Sequence, residues 1–303
     1  MHLTSLSINI KHLKQIHTYY TISSILCQLK IQQNTTLPIL FKFLLHLLKK
    51  YSYFNENSLL KCIFARWYNL SQYIFKRYEK KYILNKFQYK DALNMLTFNT
   101  VADKHGESDI CNIYFDTPDF RIIRKSIEKP VYKEKLRLRC YGVPQNDSKC
   151  FLEIKKKYKG IVYKRRICAE YEDGYNYLNN ICDNVPDSQI KNEIEYFKRF
   201  YEEQIAKANI FYHRIAFYDK DDINIRITFD TDIKYRFYEL DLKNGIYGKA
   251  LLPENTYIME IKTLGAIPLW LTKMLDELKI YPTPFSKYGN SYKQFIGGIN
   301  YDR

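Results

Sequence analysis

From Tyr73 onward, polar and apolar residues alternate with the two-residue period of half-buried strands. The alternation predicts eight strands, over residues 74–83, 110–115, 131–141, 150–158, 161–168, 210–218, 223–236 and 257–263. Helical patterning predicts helices over 86–96, 119–128, 173–181, 188–201 and 268–278. In the last of these, Pro268 suits a first helical position, and Leu271, Leu275 and Leu278 make an apolar stripe. Lys159 and Gly160 mark a hairpin turn between two strands.

The polar faces of these strands are unusual. In KEKLRLRC, Lys133, Lys135, Arg137 and Arg139 share one face, while Leu136 and Leu138 share the other with Glu134 and Cys140. A single such strand would pass for a wet sheet edge. Six further strands repeat the feature: Arg77, Glu79 and Lys81 share a face, as do Glu153, Lys155 and Lys157, then Lys164 and Arg166, then Tyr212 and Arg214. Arg226, Thr228, Asp230 and Asp232 follow, and finally Glu260 with Lys262. The opposite faces are largely apolar, with Ile154, with Ile225, Ile227 and Phe229, and with Ile261. A sandwich would scatter these cations over its outside. A sheet closed on itself, with helices over its apolar face, would turn them into a lumen. Each cation taken out of water there costs several kcal/mol unless anions compensate it. Glu79, Glu153 and Glu260 supply only part of that compensation, so the surplus calls for a polyanion. The carboxylates are available to hold a divalent cation on its oxygens.

Composition narrows the choice of partner. A chain of 303 residues that is 46% hydrophobic can bury a real core, and its net charge of +15 points to an anionic partner. Nucleic acid, an acidic membrane surface and a phosphorylated molecule or polymer all qualify. Residues 1–72 carry +7 of this charge and a single acid, Glu56, and read as a mostly helical basic extension of unknown role; residues 73–303 form the second domain. Seven cysteines without a CxxC pair argue against a disulfide framework and a structural zinc site, and suit a reducing cytoplasm. The longest apolar run, residues 37–48, is interrupted by Lys42 and His46 and falls short of the ~20 residues that span a bilayer. No secretory signal and no GxxxxGK[ST] stretch stand out. Nucleic acid is disfavoured because Tyr78, Tyr82 and Tyr163 point away from the cations beside them. Asp116 and Asp119 read as a turn and helix cap, Asp230 and Asp232 as salt-bridge partners of a neighbouring strand, and His213 as packing.

The segments RYEKKY, CNIYFDTPDF, KEKLRLRCYG, FLEIKKKYKGIVYKRR, YHRIAF, RITFDT, MEIK and PFSKYGNSY, in order over residues 73–296, resemble the VTC domain. That domain is the polyphosphate polymerase module of the vacuolar transporter chaperone complex, within the triphosphate tunnel metalloenzymes. The resemblance implies an α+β fold, an eight-stranded antiparallel β-barrel forming a triphosphate tunnel with flanking helices. It also implies ATP and inorganic polyphosphate as substrates, and a divalent metal, Mn2+ or Mg2+. Carried over motif by motif, it implies catalytic phosphate contacts for Lys81, Arg137, Arg139, Lys155 and Lys287. Lys164, Tyr212, Arg214, Arg226 and Ser286 become substrate-binding residues, and Glu260, helped by Glu79 and Glu153, the metal side. Ser286 and Lys287 fall in the FSKYG loop and the others on the expected lumen faces.

One departure is informative. Small triphosphatases of the superfamily carry E-x-E-x-K on the first strand, whereas this chain reads Arg77, Glu79 and Lys81, which favours the polymerase branch. The implied reaction is transfer of the ATP γ-phosphoryl group to the end of a polyphosphate chain. It needs in-line positioning and charge neutralisation, which arginines supply as bidentate forks and lysines as point charges. The alternatives are a triphosphatase, with water as the acceptor, and a non-catalytic polyphosphate sensor or scaffold. Eukaryotic polymerases of this kind belong to membrane complexes. The resemblance therefore implies a cytoplasmic protein, peripheral at the inner face of a membrane, with a separate membrane-protein partner.

Overall fold

The computed structural model describes residues 75–301, so the basic extension read over residues 1–72 lies outside the described residues. Among the described residues are nine strands: β1 (Phe75–Asn85), β2 (Thr100–Asp116), β3 (Tyr132–Tyr141), β4 (Lys149–Tyr158), β5 (Ile161–Glu170), β6 (Ile205–Asp219), β7 (Arg226–Arg236), β8 (Lys249–Ala250) and β9 (Thr256–Thr263). The helices are α1 (Lys86–Asn99), α2 (Arg121–Ile127), α3 (Tyr171–Leu178), α4 (Gln189–Tyr201), α5 (Leu269–Glu277) and α6 (Lys287–Tyr301). The eight strands and five helices expected from patterning are all present. The two-residue β8 makes the strand count nine rather than eight. Residues expected as an FSKYG loop run straight into the unforeseen α6, with Lys287 as its first residue.

Every ladder is antiparallel, in the order β6-β2-β3-β4-β5-β1-β9-β7-β8, and β6 also pairs with β7. Eight strands therefore have a neighbour on either side. Among the ladders that join these eight, the thinnest described one is β1–β5, where Phe75, Lys76 and Arg77 meet Lys164, Tyr163 and Val162. The β4–β5 connection is a tight turn in which Lys159 and Gly160 both adopt positive φ, 46° and 85°.

The apolar strand faces are covered by helices. Leu136, Leu138, Leu152 and Ile154 are buried with Tyr171, Tyr177 and Leu178 of α3 and with Ile194 and Phe197 of α4. Helix α3 comes so close that a Cβ on Gly174 would stand 2.8 Å from Cys150 Sγ and 3.1 Å from Leu152. On the β1–β9–β7 side, Tyr82, Leu84, Ile227, Phe229 and Ile261 pack with α1 and α5 through Leu96, Leu271 and Met274. Burying each such side chain contributes about 1.5–3 kcal/mol. Local signals set the helix starts: Asn85 accepts from Gln88 N while Gln88 accepts from Asn85 N, and Ser188 accepts from Lys191 N. Among the described residues, no helix is long and apolar enough to cross a membrane.

A third cluster joins the other strand face to α2 and α6, with Tyr114, Ile210 and Tyr212 against Ile123 and Tyr288. β7 reaches it through a bulge. Phe211 faces Lys234 and His213 faces Thr231, so β7 has one residue more than β6 between these pairs, and Asp232 takes a φ of 47°. Before the bulge, Ile227 and Phe229 belong to the helix-covered face; after it, Ile233 and Tyr235 belong to the third cluster. The extra residue removes Asp232 from the face of Asp230: Asp230 is fully buried, while Asp232 is exposed and pairs with Lys234.

Asp116 ends β2 as the turn and helix cap expected of it. Its carboxylate accepts from the backbone of Thr117, Ile122 and Ile123 at 2.8–3.0 Å and from the Tyr288 hydroxyl at 2.9 Å, tying α2 to α6. Replacing it leaves helix N–H groups and a buried hydroxyl without their acceptor. Asp116→Ala is expected to lower unfolding free energy by about 2–4 kcal/mol, read from urea titration. A loss under about 1 kcal/mol would mean that water replaces the carboxylate.

Candidate functional site

The strand face opposite α1, α3, α4 and α5 lines a cavity of about 1480 Å³, together with residues of α2 and α6. Its lining includes sixteen Lys or Arg residues and four acidic ones, so the basic faces recognised in the sequence meet around one space. Of the four acids, Glu134 is turned away, accepting hydrogen bonds from Tyr132 and from Tyr201 of α4. Lys81, Arg137, Arg139, Lys155, Lys164, Tyr212, Arg214, Arg226, Ser286, Lys287, Glu79 and Glu260 all line the cavity. Glu153 does not.

Glu153 lies behind the cavity wall, 1% exposed, because β4 is flanked by β3 and β5 and the cations of both neighbours close over it. It pairs with Arg137 at 2.6 Å, with Arg139 at 3.7 Å and with Lys164. Burial would raise its pKa, but Lys164, Arg139 and Arg137 hold it well below the carboxylate range. The two arginines are fixed further by β2 and β6. Arg137 donates to the Tyr114 hydroxyl at 3.0 Å, and Arg139 donates to Asn112 Oδ1 at 2.9 Å and to the Tyr212 hydroxyl at 3.0 Å. Burial would raise the Tyr212 phenol, yet Arg139 and Arg214 pull it below its ordinary value.

The β1–β9 wall is a checkerboard. Register places Lys81 opposite Glu260 and Glu79 opposite Lys262. Lys81 pairs with Glu79 and, at 2.9 Å, with Glu260; Lys155 reaches Glu79 at 2.8 Å, and Lys262 pairs with Glu260. Burial and the neighbouring Glu260 push Glu79 up, but Lys155 and Lys81 prevail and keep it ionised well below the usual range. On β7, the strand beside β9, Asp230 is fully buried and takes a bidentate pair from Arg214, at 2.6 and 2.7 Å, plus Lys287 from the start of α6. Arg226 pairs with Asp103 at 2.6 Å. Asp230 thus forms the expected salt bridge. His213, expected to pack, instead lies partly exposed between Asp109 at 2.9 Å and Glu107 at 3.2 Å, because strand β2 runs ten residues further back than its pattern showed and places both acids beside it.

The β3–β4–β5 wall has the opposite character. Lys133 faces Lys157, Lys135 faces Lys155, and Lys155 faces Lys164, three like-charge cross-strand pairs of the kind that destabilise sheets. Lys135 has no carboxylate within ion-pair distance among the described residues and donates to Ser286 Oγ at 2.9 Å. Burial, with Lys155 and Lys133 beside it, lowers its pKa to about 7. Lys135, Lys262 and Arg166 are cavity residues that the family motifs did not single out, although the two-residue period already placed each on a basic face. Asn112 and Tyr114 carry no such signal, since only the β2–β3 register brings them to Arg139 and Arg137.

Among the described cavity residues, the donor set suits a metal where Glu79 and Glu260 meet. Glu79 and Glu260 both bind Lys81 and offer carboxylate oxygens at the cavity wall, the donor type that Mg2+ or Mn2+ prefers. Among the described residues, no group of three His, Cys, Asp or Glu could form an all-protein metal cage. Glu153 is engaged by three cations and lies away from the cavity surface.

Comparison with known proteins matches residues 76–296 to the VTC domain family. No curated protein matches the chain. Similar solved structures include a Bacillus halodurans protein provisionally described as an adenylate cyclase, at 12% identity and TM-score 0.47, covering 70% of this chain and 95% of that one. A Hippeastrum protein, provisionally described as an adenylyl cyclase and found to have a dominant triphosphatase activity, aligns at 13% identity and TM-score 0.41, over 71% and 93% of the two chains. The Mimivirus capping enzyme triphosphatase aligns at 12% identity and TM-score 0.30, over 75% and 98%. All three fall below a TM-score of 0.5, too distant to transfer a role to any residue.

Two outcomes follow from these electrostatics. Glu153→Gln leaves three cations without their shared anion and is expected to lower unfolding free energy by about 3–5 kcal/mol, whereas an unchanged urea midpoint would show that the node carries no stability. For Lys135, the folded pKa of about 7 lies below the ordinary 10.5, so between these pH values the unfolded chain binds more protons and stability rises with pH. Urea midpoints at pH 7 and pH 9 should therefore rise more in the wild type than in Lys135→Met; equal slopes would contradict the lowered value.

Proposed function

Because this chain belongs to the VTC domain family, we propose that it is a polyphosphate polymerase, moving the γ-phosphoryl group of ATP onto an inorganic polyphosphate chain. In this reading the eight doubly paired strands enclose a triphosphate tunnel. One observation carries the choice of a polymer: the cationic face of β3 runs without interruption from Arg139 to Lys133. Six residues of strand rise about 20 Å, further than the three phosphates of one nucleotide need.

The reaction is an in-line displacement. A terminal oxygen of the chain attacks the γ-phosphorus, the bond from that phosphorus to the β–γ bridging oxygen breaks, and ADP leaves. Arg137 and Arg139, held from behind by Glu153, present guanidinium N–H groups to the transferred phosphoryl oxygens without having to reorganise. Lys81, Lys155 and Lys287 neutralise charge as it shifts between the attacking and leaving oxygens. Lys164, Tyr212, Arg214, Arg226 and Ser286 bind the remaining phosphates. Glu79 and Glu260 would hold a divalent cation, Mn2+ or Mg2+, which would supply positive charge to offset that of the phosphates. Lys135, near pH 7 only part charged, gains its full charge beside a polyanion and so strengthens binding as the chain fills the cavity.

The test is product analysis with ATP and Mn2+ or Mg2+, with and without a short polyphosphate primer. ADP accompanied by lengthening chains is the expected result, with turnover reduced about 10²- to 10³-fold in Lys287→Ala and Glu260→Gln. ADP matched by free phosphate would make the protein a triphosphatase. Tight polyphosphate binding without turnover would leave a sensor.

A further inference from the structure

The two ends of the cavity differ in chemistry. Beside the β4–β5 turn the lining is lysine: Lys133 faces Lys157, and Lys159 lies in the turn itself. Beside the β3–β4 connection, the same strand faces end in planar groups. Tyr141 follows Arg139 on the cavity face of β3, and register sets Phe151 of β4 opposite Arg139. The Arg166 guanidinium of β5 lies over the Phe151 ring at 4.5 Å, and the Tyr141 ring meets Phe151 edge-on at 6.0 Å and 89°. Tyr141 is 50% exposed and lines the cavity with Arg166.

Arg166 also differs from the other cavity arginines. Arg137, Arg139, Arg214 and Arg226 each pair with a carboxylate, whereas Arg166 has no ion pair among the described residues and is oriented by a ring. Exposed aromatic faces and guanidinium planes are the surfaces on which nucleobases stack, while ammonium groups are point charges suited to phosphate oxygens. Among the described residues, Lys133, Lys157 and Lys159 pair with no carboxylate, since Glu134 beside them is turned toward Tyr132 and Tyr201. A phosphate chain is therefore better accommodated at the lysine end and an uncharged ring at the other.

We propose that Tyr141, Phe151 and Arg166 form a nucleobase ledge: the base of the donor nucleotide stacks there, its triphosphate points inward to Arg139 and Arg137, and the phosphate chain extends toward Lys133 and Lys157. The inference rests on the reading of the cavity as a nucleoside triphosphate site. Stacking is indifferent to base identity, so the ledge favours nucleotides over bare phosphate without choosing strongly among bases.

The experiment measures the affinities of ATP and tripolyphosphate for the full chain by calorimetry, in the wild type, Tyr141→Ala, Tyr141→Phe and Arg166→Lys. Base stacking predicts that the ratio of ATP affinity to tripolyphosphate affinity falls about 5- to 100-fold in Tyr141→Ala and is kept in Tyr141→Phe. Arg166→Lys, which keeps the charge and removes the plane, should shift the ratio the same way. Tripolyphosphate binding with an unchanged ratio in Tyr141→Ala and Arg166→Lys would overturn the ledge alone. Failure of tripolyphosphate to bind the wild type would overturn the cavity reading, and the ledge with it.

Discussion

Glu153 touches cations from two strands at once, and the arrangement of the whole basic face depends on that contact. It can do so because β4 lies between β3 and β5, so one carboxylate reaches Arg137, Arg139 and Lys164 together. Without it, three positive groups would stand side by side in a wall only partly wetted, each bearing a hydration cost of several kcal/mol. Placing the anion behind the wall rather than on it leaves the outward N–H groups free to meet a ligand. Asp230 repeats the device across the cavity, holding Arg214 and Lys287 from a fully buried position. Both acids fix cations in advance, so little reorganisation remains when an anion arrives.

The compensation is uneven. On the cavity face shared by β1 and β9, Lys81 and Lys262 each have an acid opposite, and charge is balanced there in the plane of the sheet. Along β3, β4 and β5 lysines face lysines, a register that would not persist in an isolated sheet. It persists here because the other side of the same strands is packed with leucine, isoleucine and aromatic side chains under α3 and α4. Stability resides in the outer layer and repulsion in the inner one. The two are coupled by the strand backbone they share.

Much of this was legible in the residues. A two-residue period locates a face, and the face of every charged strand residue assigned a role came from period alone. What period cannot supply is depth. Glu79 and Glu153 look alike in the sequence, each on a strand face rich in lysine, yet one lines the cavity and the other lies behind it, since depth depends on how cations from neighbouring strands close over a position. Helix α6 was hidden for a local reason: Gly289, Gly297 and Gly298 dilute its pattern, and the helix is held by contacts distant in sequence, Tyr288 to Asp116 and Lys287 to Asp230. Lys287 accordingly reads as a loop residue in the sequence although it opens the helix. His213 reads as a packing residue because Glu107 and Asp109 lie in the irregular early part of β2, where register shifts between Ala102 and Glu107 break the alternation.

The bulge at Asp232 shows how one strand can serve two compartments. Upstream of it, even-numbered residues of β7 point toward charge; downstream, odd-numbered residues do the work of the apolar cluster, and Arg236, fully buried on the opposite face, donates to the carbonyls of Glu239, Asp241, Gly245 and Tyr247. The strand thus has a reading frame, and the extra residue is a frameshift written into the fold. Length at this point is therefore constrained as tightly as composition. A homologue could exchange Ile233 for another apolar residue at little cost, but one that lost a single residue here would carry a guanidinium into the apolar cluster and leave the 239–247 loop without its anchor.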